Sequence, residues 1–439
     1  MSRLTLAKII TGILLALSIG LGLFQHNRDP YLGSNKTSYN FVATDKSLEG
    51  YYNEAAEMAK NSDSRTELSF LAVGDIMLSR NVATQIEKQK DVNYPFLALE
   101  DILKSTDFNF GNLESPFYKT SKNCLTGEAV GIIGGHSLIF GAPCLYVKGL
   151  RDYNFQILNL ANNHALDQGL SGLNFTTSLL SDPNVAIQST GVGENLKEAW
   201  KPTVVETKGI KICFIGASYA SINDGGKAIN NYVARIEDVE NLKLSIENAK
   251  LLCDFTVTTM HAGIEYVRKP NQAQIDFAHT AIDAGADMVI GSHSHWIQTI
   301  ERYCPQSSTS SDSPSTIHGE GAGGEVKCNN PKYIFYSLGN FIFDQMWSQD
   351  TREGLTIKIT LSKTGCSPSP LARGDALSAS EGQRGCTDNL QGNRQPAKLE
   401  SIKLIPIIIE NYSTPRPANE IESKKILEKI DETSTILQP

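Results

Sequence analysis

The chain has 439 residues, with 48 acidic and 40 basic side chains and a formal net charge of −8. This length can bury a large core in one or more domains, and an apolar content of 40% is that of a globular protein. No run of lysine and arginine is longer than a pair such as Arg268 and Lys269, which excludes the basic footprint of a nucleic-acid-binding protein.

The N-terminal segment has the layout of a membrane anchor. Residues 9–24 (IITGILLALSIGLGLF) are apolar apart from one Thr and one Ser, and Arg3 and Lys8 precede them. The run is near the lower limit for a membrane span, about 17–25 residues, and no small-residue cleavage site follows it. We therefore expect a single-pass signal-anchor over 1–27 with its N-terminus in the cytoplasm; a cleaved signal peptide is the alternative. The polar stretch 28–66 is typical of a juxtamembrane linker.

Apolar runs and amphipathic stretches alternate beyond residue 66, and this β-α-β rhythm predicts a layered α/β domain over 67–437. The expected elements, in chain order, are strand 68–73, helix 81–90, helix 96–104, strand 107–110, strand 155–160, a helix from 168, a hairpin of 204–207 and 210–216, helix 239–251, strand 255–260, a helix between Asn271 and Gly285, strand 287–291, strand 333–338, paired strands 355–361 and 399–409, and helix 419–430.

The eight cysteines divide into two kinds. Cys213 and Cys253 lie in apolar runs and are interpreted as free, small core residues. The other six bracket irregular stretches rich in Gly, Ser or Pro, which predicts disulfide-closed insertions near 121–146, 304–330 and 362–398 and an oxidising compartment outside the cytosol. A zinc site is the alternative, but the chain has no C-x-x-C. The expected pairs are Cys124 with Cys144, Cys304 with Cys328, and Cys366 with Cys386.

Polar side chains follow several of the predicted strands. His293 and His295 come directly after the buried run that stops at Gly291, and their i, i+2 spacing lets both imidazoles face one point. Taken alone, such a pair could be a hydrogen-bonded loop, and a single polar residue at a strand end could be a helix cap. Together the strand ends offer the mixture of carboxylate, imidazole and amide ligands that two divalent metal ions need. The candidate ligands are Asp75, Glu114, Asn163, His261, His293 and His295.

Six motifs carry a family resemblance. In order they are GDIMLSR (74–80), NLESP (112–116), ANNHALDQG (161–169), HAGIEY (261–266), GADMVIGSHSH (285–295) and YSLGNFIFD (336–344). Together they resemble the CapA family of bacterial capsule or poly-γ-glutamate synthesis proteins, whose fold is similar to calcineurin-like metallophosphoesterases. The resemblance implies an αββα sandwich of mixed β-sheets flanked by helices, here preceded by one N-terminal transmembrane helix.

The resemblance also implies roles for individual residues. Asp75 and His295 would serve one metal ion, Asn163, His261 and His293 the other, and Glu114 would bridge the two. Metallophosphoesterases place a His where this chain has Met77, so the first ion would be one ligand short.

His164 would donate a proton to the leaving group and Asp167 would orient it, although either could instead cap the following helix. Arg80, Glu265, Asn340 and Asp344 match family positions and are candidates for substrate binding. Arg80 could hold a carboxylate or phosphate through a bidentate contact, and a structural ion pair is the alternative.

These observations favour a membrane-anchored, extracytoplasmic hydrolase or transferase that uses two divalent metal ions (Mn, Zn, Fe or Mg) on an envelope polymer such as poly-γ-glutamate. Its expected partners are that polymer and membrane subunits for synthesis or export. A non-catalytic component of a polymer synthesis and export complex is the alternative that Met77 favours. A generic metal-dependent phosphodiesterase is a third possibility, but it fits the membrane anchor poorly.

Overall fold

The computed structural model describes residues 65–120, 124–126, 138–221, 223, 230–305, 330–364 and 395–431. The expected signal-anchor and nearly all of the expected linker lie outside these ranges. Within them, no helix combines the length and the apolar character needed to cross a membrane.

The described elements alternate between strands and helices. The strands are β1 (Arg65–Ile76), β2 (Phe108–Leu113), β3 (Phe117–Tyr118), β4 (Ala142–Pro143), β5 (Phe155–Asn159), β6 (Gln188–Thr190), β7 (Thr203–Thr207), β8 (Ile210–Ser218), β9 (Phe255–His261), β10 (Met288–Ser292), β11 (Ile300–Tyr303), β12 (Lys332–Phe335), β13 (Asn340–Ile342), β14 (Glu353–Thr364), β15 (Lys398–Glu410) and β16 (Thr414–Pro417). The α-helices are α1 (Arg80–Gln89), α2 (Glu100–Leu103), α3 (Val147–Asp152), α4 (Gly169–Leu180), α5 (Leu196–Ala199), α6 (Val239–Leu252), α7 (Gln272–Ala284), α8 (Gln349–Arg352) and α9 (Glu420–Asp431).

Two mixed sheets form the centre of the fold. The larger runs in the order β16-β15-β14-β1-β2-β5-β6, with β13 paired to β1, and the smaller runs in the order β11-β12-β10-β9-β8-β7. Strands β1, β2, β5 and β6 are parallel to one another, as are β8, β9, β10 and β12. The carboxyl ends of parallel strands lie at the same edge of a sheet, so a binding site can form at that edge of each sheet.

Local sequence accounts for several of these elements. Lys208 (φ 54°) and Gly209 (φ 74°) form the two-residue connection of the expected β7–β8 hairpin, since both central residues of a type I′ turn need positive φ. At the start of α7, Asn271 and Gln274 form a reciprocal capping box. Gly285, at φ 114°, ends the same helix, as predicted.

Apolar side chains fill three layers. Phe70 of β1 and Phe214 of β8 meet edge to face between the two sheets, with ring centroids 6.0 Å apart. A second cluster packs α1, α3 and α4 on the outer face of the larger sheet, and a third packs α6 and α7 on the outer face of the smaller sheet. This is the helix–sheet–sheet–helix layering expected from the sequence.

The cysteine predictions were right in part. Cys124 and Cys144 form the expected disulfide. The prediction that Cys213 and Cys253 are free is wrong, because they are joined to each other. Cys213 lies on β8 and Cys253 directly precedes the adjacent strand β9, so the pairing of these strands brings their Cα atoms to 5.6 Å, well within disulfide reach. Cys304 is also disulfide-bonded. The remaining cysteines, Cys328, Cys366 and Cys386, lie outside the described residues.

Two element predictions need correction. The expected helix 96–104 is a 3-10 helix, Tyr94–Leu99, followed by the single turn of α2. The expected strand 333–338 ends at Phe335, because the chain then turns so that Asn340 can begin β13 beside β1.

Candidate metal centre

The six predicted ligands converge at the carboxyl edges of the two sheets. Asp75 is the penultimate residue of β1, while Glu114 and Asn163 lie shortly after β2 and β5 of the same sheet. The three histidines come from the smaller sheet, where His261 ends β9 and the other two follow β10. Every one of the six has at most 4% of its surface exposed, so this is a dry, polar cluster.

One group of ligands forms around Asp75. Ligand atoms of Asp75, Glu114 and His295 all lie within 4.8 Å of one another. The separation between His295 Nδ1 and Asp75 Oδ2 is 3.4 Å, and that between His295 Nε2 and Glu114 Oε1 is 3.9 Å. This is the arrangement needed if Asp75 and His295 are to share one ion with Glu114.

A second group forms around His261. Its Nε2 lies 2.7 Å from Asn163 Oδ1 and 3.1 Å from His293 Nδ1. The same Nε2 is 4.0 Å from Glu114 Oε1, so this carboxylate lies between the two groups. The geometry brings together the residues assigned to each ion and puts Glu114 where a bridging ligand would stand.

Asn340 fixes the orientation and the tautomer of His295. The Asn340 side-chain nitrogen donates to the Thr351 carbonyl at 2.9 Å and to Gln345 Oε1 at 3.1 Å, which identifies the nitrogen end of the amide. Its Oδ1 must therefore be the atom 2.9 Å from His295 Nδ1, and since that oxygen can only accept, Nδ1 carries the proton. His295 Nε2 is left facing Glu114 Oε1.

Asn112 and Ser292 contact two of the candidate ligands, Asp75 and His261. The Asn112 side-chain nitrogen donates to Asp75 Oδ1 at 2.8 Å and lies 3.1 Å from His261 Nδ1. Ser292 Oγ is 3.0 Å from the same Nδ1. Asn112 orients the Asp75 carboxylate, and Ser292 Oγ can accept a hydrogen bond from His261 Nδ1, as partners on the far side of metal ligands do; the Asn112 nitrogen can only donate.

The charge balance of the cluster favours a cation. Of the residues that the structure describes, none donates a hydrogen bond to either carboxylate oxygen of Glu114, although the side chain is fully buried. Burial, reinforced by the Asp75 carboxylate, raises the pKa of Glu114 well above its ordinary value. A buried carboxylate that receives no hydrogen bond is unfavourable without a positive charge beside it, so the donor set fits a divalent ion.

The histidines of the second group are suited to remain neutral. Burial, then the neighbouring imidazoles, lowers the pKa of His261 well below its usual range. Burial followed by His295 lowers the pKa of His293 to about 3. Neutral imidazoles keep a lone pair available for a metal ion.

His164 and Asp167 form a dyad beside the centre. His164 Nδ1 lies 2.7 Å from Asp167 Oδ2, which leaves Nε2 directed to Glu114 Oε1 at 3.8 Å. His164 is 7% exposed. An imidazole with its Nδ1 held by a carboxylate and its Nε2 at the centre is placed to transfer a proton there.

The four residues proposed for substrate binding are engaged in different contacts. The guanidinium of Arg80 makes a bidentate ion pair with Asp344, with Nε 3.1 Å from Oδ2 and Nη2 in contact with Oδ1. Asn340 is engaged with His295, as described above, and Glu265 is exposed. Binding of substrate by these residues stays a prediction.

Met77 shows what replaces the missing histidine. Its side chain is fully buried, and its sulfur accepts hydrogen bonds from the Ser79 backbone nitrogen at 3.2 Å and from Ser79 Oγ at 3.0 Å. The position therefore contributes a thioether held within the turn after β1, and no imidazole.

Backbone strain concentrates at the same edge. His293 has φ of 98° and His295 has φ of 56°, values that L-residues adopt at a cost of about 1–3 kcal/mol each. Strain is retained where the surroundings enforce it. Here it accompanies the approach of the His293 backbone nitrogen to Asp75 Oδ2 at 3.3 Å and of His295 Nδ1 to the same oxygen at 3.4 Å.

Sequence reasoning missed several residues that contact the predicted site, among them Asn112, Phe140 and Ser292. Asn112 had a detectable signal, since it precedes Glu114 by two residues and so shares its face of the chain. Ser292 is the last residue of β10 and directly precedes His293, and a lone serine at a strand end gives no signal of such a contact. Phe140 lies in an irregular stretch with no periodic pattern to reveal it.

Comparison with known proteins places these residues in a family context. Residues 69–345 match the family model described as bacterial capsule synthesis protein PGA_cap. The chain is similar to the PGA biosynthesis protein CapA of Bacillus subtilis (strain 168), with 28% identity over 87% of each chain. It is also 27% identical to the capsule biosynthesis protein CapA of Bacillus anthracis, over 71% of this chain and 68% of that protein. Among solved structures, the NAD nucleotidase of Haemophilus influenzae aligns with a TM-score of 0.39 and 11% identity over 84% of this chain and 57% of that one.

Proposed function

The chain belongs to the bacterial capsule synthesis protein family PGA_cap, and from that premise we propose that it is a hydrolase or transferase of capsule or poly-γ-glutamate biosynthesis. In this proposal it depends on two divalent metal ions and acts on an envelope polymer. Residues 9–24 would anchor it in the cell membrane with the described domain outside the cytoplasm, where the Cys124–Cys144 disulfide could persist. Membrane subunits for polymer synthesis or export would be its partners.

One observation carries the proposal. Glu114 is a fully buried carboxylate that receives no hydrogen bond from any described residue, and imidazoles of both ligand groups face its Oε1. A carboxylate so placed has a physical reason to exist only when cations compensate it. Asp75 and His295 would hold one ion, and Asn163, His261 and His293 the other.

The chain's own residues supply the rest of the chemistry. The bound ions would act as Lewis acids on a carbonyl or phosphoryl oxygen of the polymer. Water, or an acceptor group in a transferase, would form the new bond to the reacting centre as the old bond breaks. His164, protonated at Nε2, would give that proton to the departing group and become neutral. Asp167 would keep the Nδ1 proton in place throughout, which holds the imidazole in the tautomer that can donate from Nε2. The burial of the ligands excludes water from their far sides.

The test combines metal content with activity. Wild type should bind close to two equivalents of Mn²⁺ or Zn²⁺ by elemental analysis and should cleave phosphoester or γ-glutamyl model substrates. Glu114→Ala should lose most of the metal, whereas His164→Ala should keep it and lose the cleavage. Unchanged metal content in both Glu114→Ala and His293→Ala would show that the centre is assigned to the wrong residues.

Met77 favours a second candidate function. Because this position gives no imidazole, the ion held by Asp75 and His295 has fewer protein ligands, and a family member without catalysis could tolerate that loss. The chain would then be a binding component of a polymer synthesis and export complex. Wild-type protein that binds metal but cleaves no substrate of either class would favour this second function.

A further inference from the structure

We propose that Phe140 is a positioning residue for the His164–Asp167 dyad. The inference rests on the proposed function only in the role it gives to His164; the contacts themselves are independent of that role. Phe140 belongs to the segment that the Cys124–Cys144 disulfide closes. None of the six candidate ligands comes from this segment.

Phe140 touches both members of the dyad. Its ring stacks on the His164 imidazole with centroids 3.8 Å apart and planes 17° apart. Its backbone nitrogen donates to Asp167 Oδ2 at 2.5 Å, and this is the same oxygen that lies 2.7 Å from His164 Nδ1. One residue therefore fixes the plane of the imidazole and also holds the carboxylate that orients it.

The stack adds something that the hydrogen bond to Asp167 cannot. A single bond at Nδ1 leaves the imidazole free to tilt about that contact, which would swing Nε2 away from Glu114. A parallel ring at van der Waals distance removes the tilt, so Nε2 stays directed at the centre. Proton transfer depends on such alignment, and displacement by about 1 Å can cost roughly 100-fold in rate.

Phe140 is itself held firmly. It is 3% exposed, and its carbonyl accepts a hydrogen bond from Gln168 Nε2 at 2.8 Å. Two residues later, the Ala142 backbone nitrogen donates to the Pro116 carbonyl at 2.9 Å, where β4 pairs with β3. The preceding Ile139, in contrast, is 58% exposed, so the buried contact begins at Phe140.

The test compares two buried phenylalanines of one core. Phe140→Leu keeps the backbone nitrogen and apolar bulk but removes the planar face. Phe96→Leu is the matched control, because Phe96 is fully buried in the same cluster and stacks on Tyr153 at 17°, away from the dyad. Phe140→Met, which also lacks a ring, gives a second test should Phe140→Leu not fold.

The first readout needs no activity. In protein with 13C-labelled histidine, the imidazole proton signals of His164, assigned from their loss in His164→Gln, should move downfield in Phe140→Leu because the ring current of Phe140 is lost. They should stay in place in Phe96→Leu. Signals that do not move in either ringless Phe140 variant would overturn the proposal.

The second readout compares aryl phosphodiesters that carry a 4-nitrophenolate or an unsubstituted phenolate leaving group. Phe140→Leu should slow the phenolate substrate by about tenfold or more and the 4-nitrophenolate substrate less, since a poor leaving group depends more on proton donation. Equal losses on both substrates, or the same pattern in Phe96→Leu, would count against positioning. Wild type that cleaves neither these esters nor a γ-glutamyl model substrate would contradict the proposed function, while the histidine signals would still decide the role of Phe140.

Discussion

Asn340 and His295 come from different sheets, yet Asn340 Oδ1 and His295 Nδ1 lie 2.9 Å apart. Asn340 begins β13, in register with Asp75 of β1, whereas His295 follows β10. The contact therefore joins His295, a candidate ligand from the smaller sheet, to β13, which pairs with the strand that carries Asp75. It directs His295 Nε2 to the centre, where the lone pair of a neutral imidazole can bind a metal ion.

Removing this contact should weaken metal binding without unfolding the protein. Asn340→Ala frees the His295 ring and its tautomer, so we expect the affinity for Zn²⁺ or Mn²⁺, measured by titration calorimetry, to fall by roughly 10–100-fold. Asn109→Ala is the control, because Asn109 is equally buried and donates to the Leu103 and Tyr153 carbonyls away from the centre. Equal affinities in wild type and Asn340→Ala would contradict the role of Asn340.

Glu114→Gln should stabilise the metal-free protein. The pKa of Glu114 is raised above 4.5, so between pH 4.5 and the raised pKa the folded state holds a proton that the unfolded chain has released. The free energy of unfolding of metal-free wild type therefore falls as the pH rises through this range, and the variant should not show that fall. Denaturant titrations at several pH values measure it.

With metal bound, wild type should be more stable than Glu114→Gln. At a concentration 100 times its dissociation constant, an ion stabilises the folded state by about 2.7 kcal/mol, and Glu114→Gln should lose most of this gain. Glu353→Gln is the control variant. Glu353 is also buried, but its carboxylate lies 2.7 Å from Lys429 Nζ. Loss of this charge should therefore destabilise the protein with or without metal. A metal-free Glu114→Gln that is less stable than wild type would argue against an uncompensated carboxylate.

The Cys213–Cys253 disulfide should contribute strongly to stability. It closes a separation of 40 residues against 20 for Cys124–Cys144, and the chain-entropy model gives about 4 and about 3 kcal/mol respectively. Unfolding of Cys213→Ala/Cys253→Ala under oxidising conditions measures the larger value. Peptide mapping of the non-reduced wild type should find these two cysteines joined, and alkylation at either one would show that the pair is not formed.

Arg80 and Asp344 should matter for stability more than for metal. The Asp344 side chain is fully buried, so Asp344→Asn leaves Arg80 without its partner and should cost about 3 kcal/mol or more. Glu100→Gln, at the exposed pair with Lys104, should leave the stability close to that of wild type. The prediction fails if Asp344→Asn unfolds like wild type but binds the substrate weakly, which would favour the substrate role expected from the family.

The parts of the fold that sequence predicted are those in which neighbours along the chain decide the structure. Asn271, Gln274 and Gly285 bound α7 because capping needs only residues within a turn of the helix end. The candidate ligands were detectable for a similar reason, since each follows an apolar run that has no other use for a polar residue.

What sequence missed depends on contacts between distant segments. Cys213 and Cys253 look like ordinary core residues until β8 and β9 are paired. The ion pair of Arg80 with Asp344 spans 264 residues, and no local pattern distinguishes it from an anion-binding arginine. Phe140 is recognisable only after the irregular segment that carries it is placed on His164.

The division of ligands between the two sheets has a mechanical consequence. Asp75 and Glu114 belong to one sheet and His261 and His295 to the other, so an ion bound by both would be a non-covalent cross-link across the apolar interface between them. Such a cross-link resists sliding of one sheet over the other. Amide hydrogens of β1 and β9 should therefore exchange in step with each other, and more slowly when metal is present, because neither sheet could open alone without breaking the shared centre.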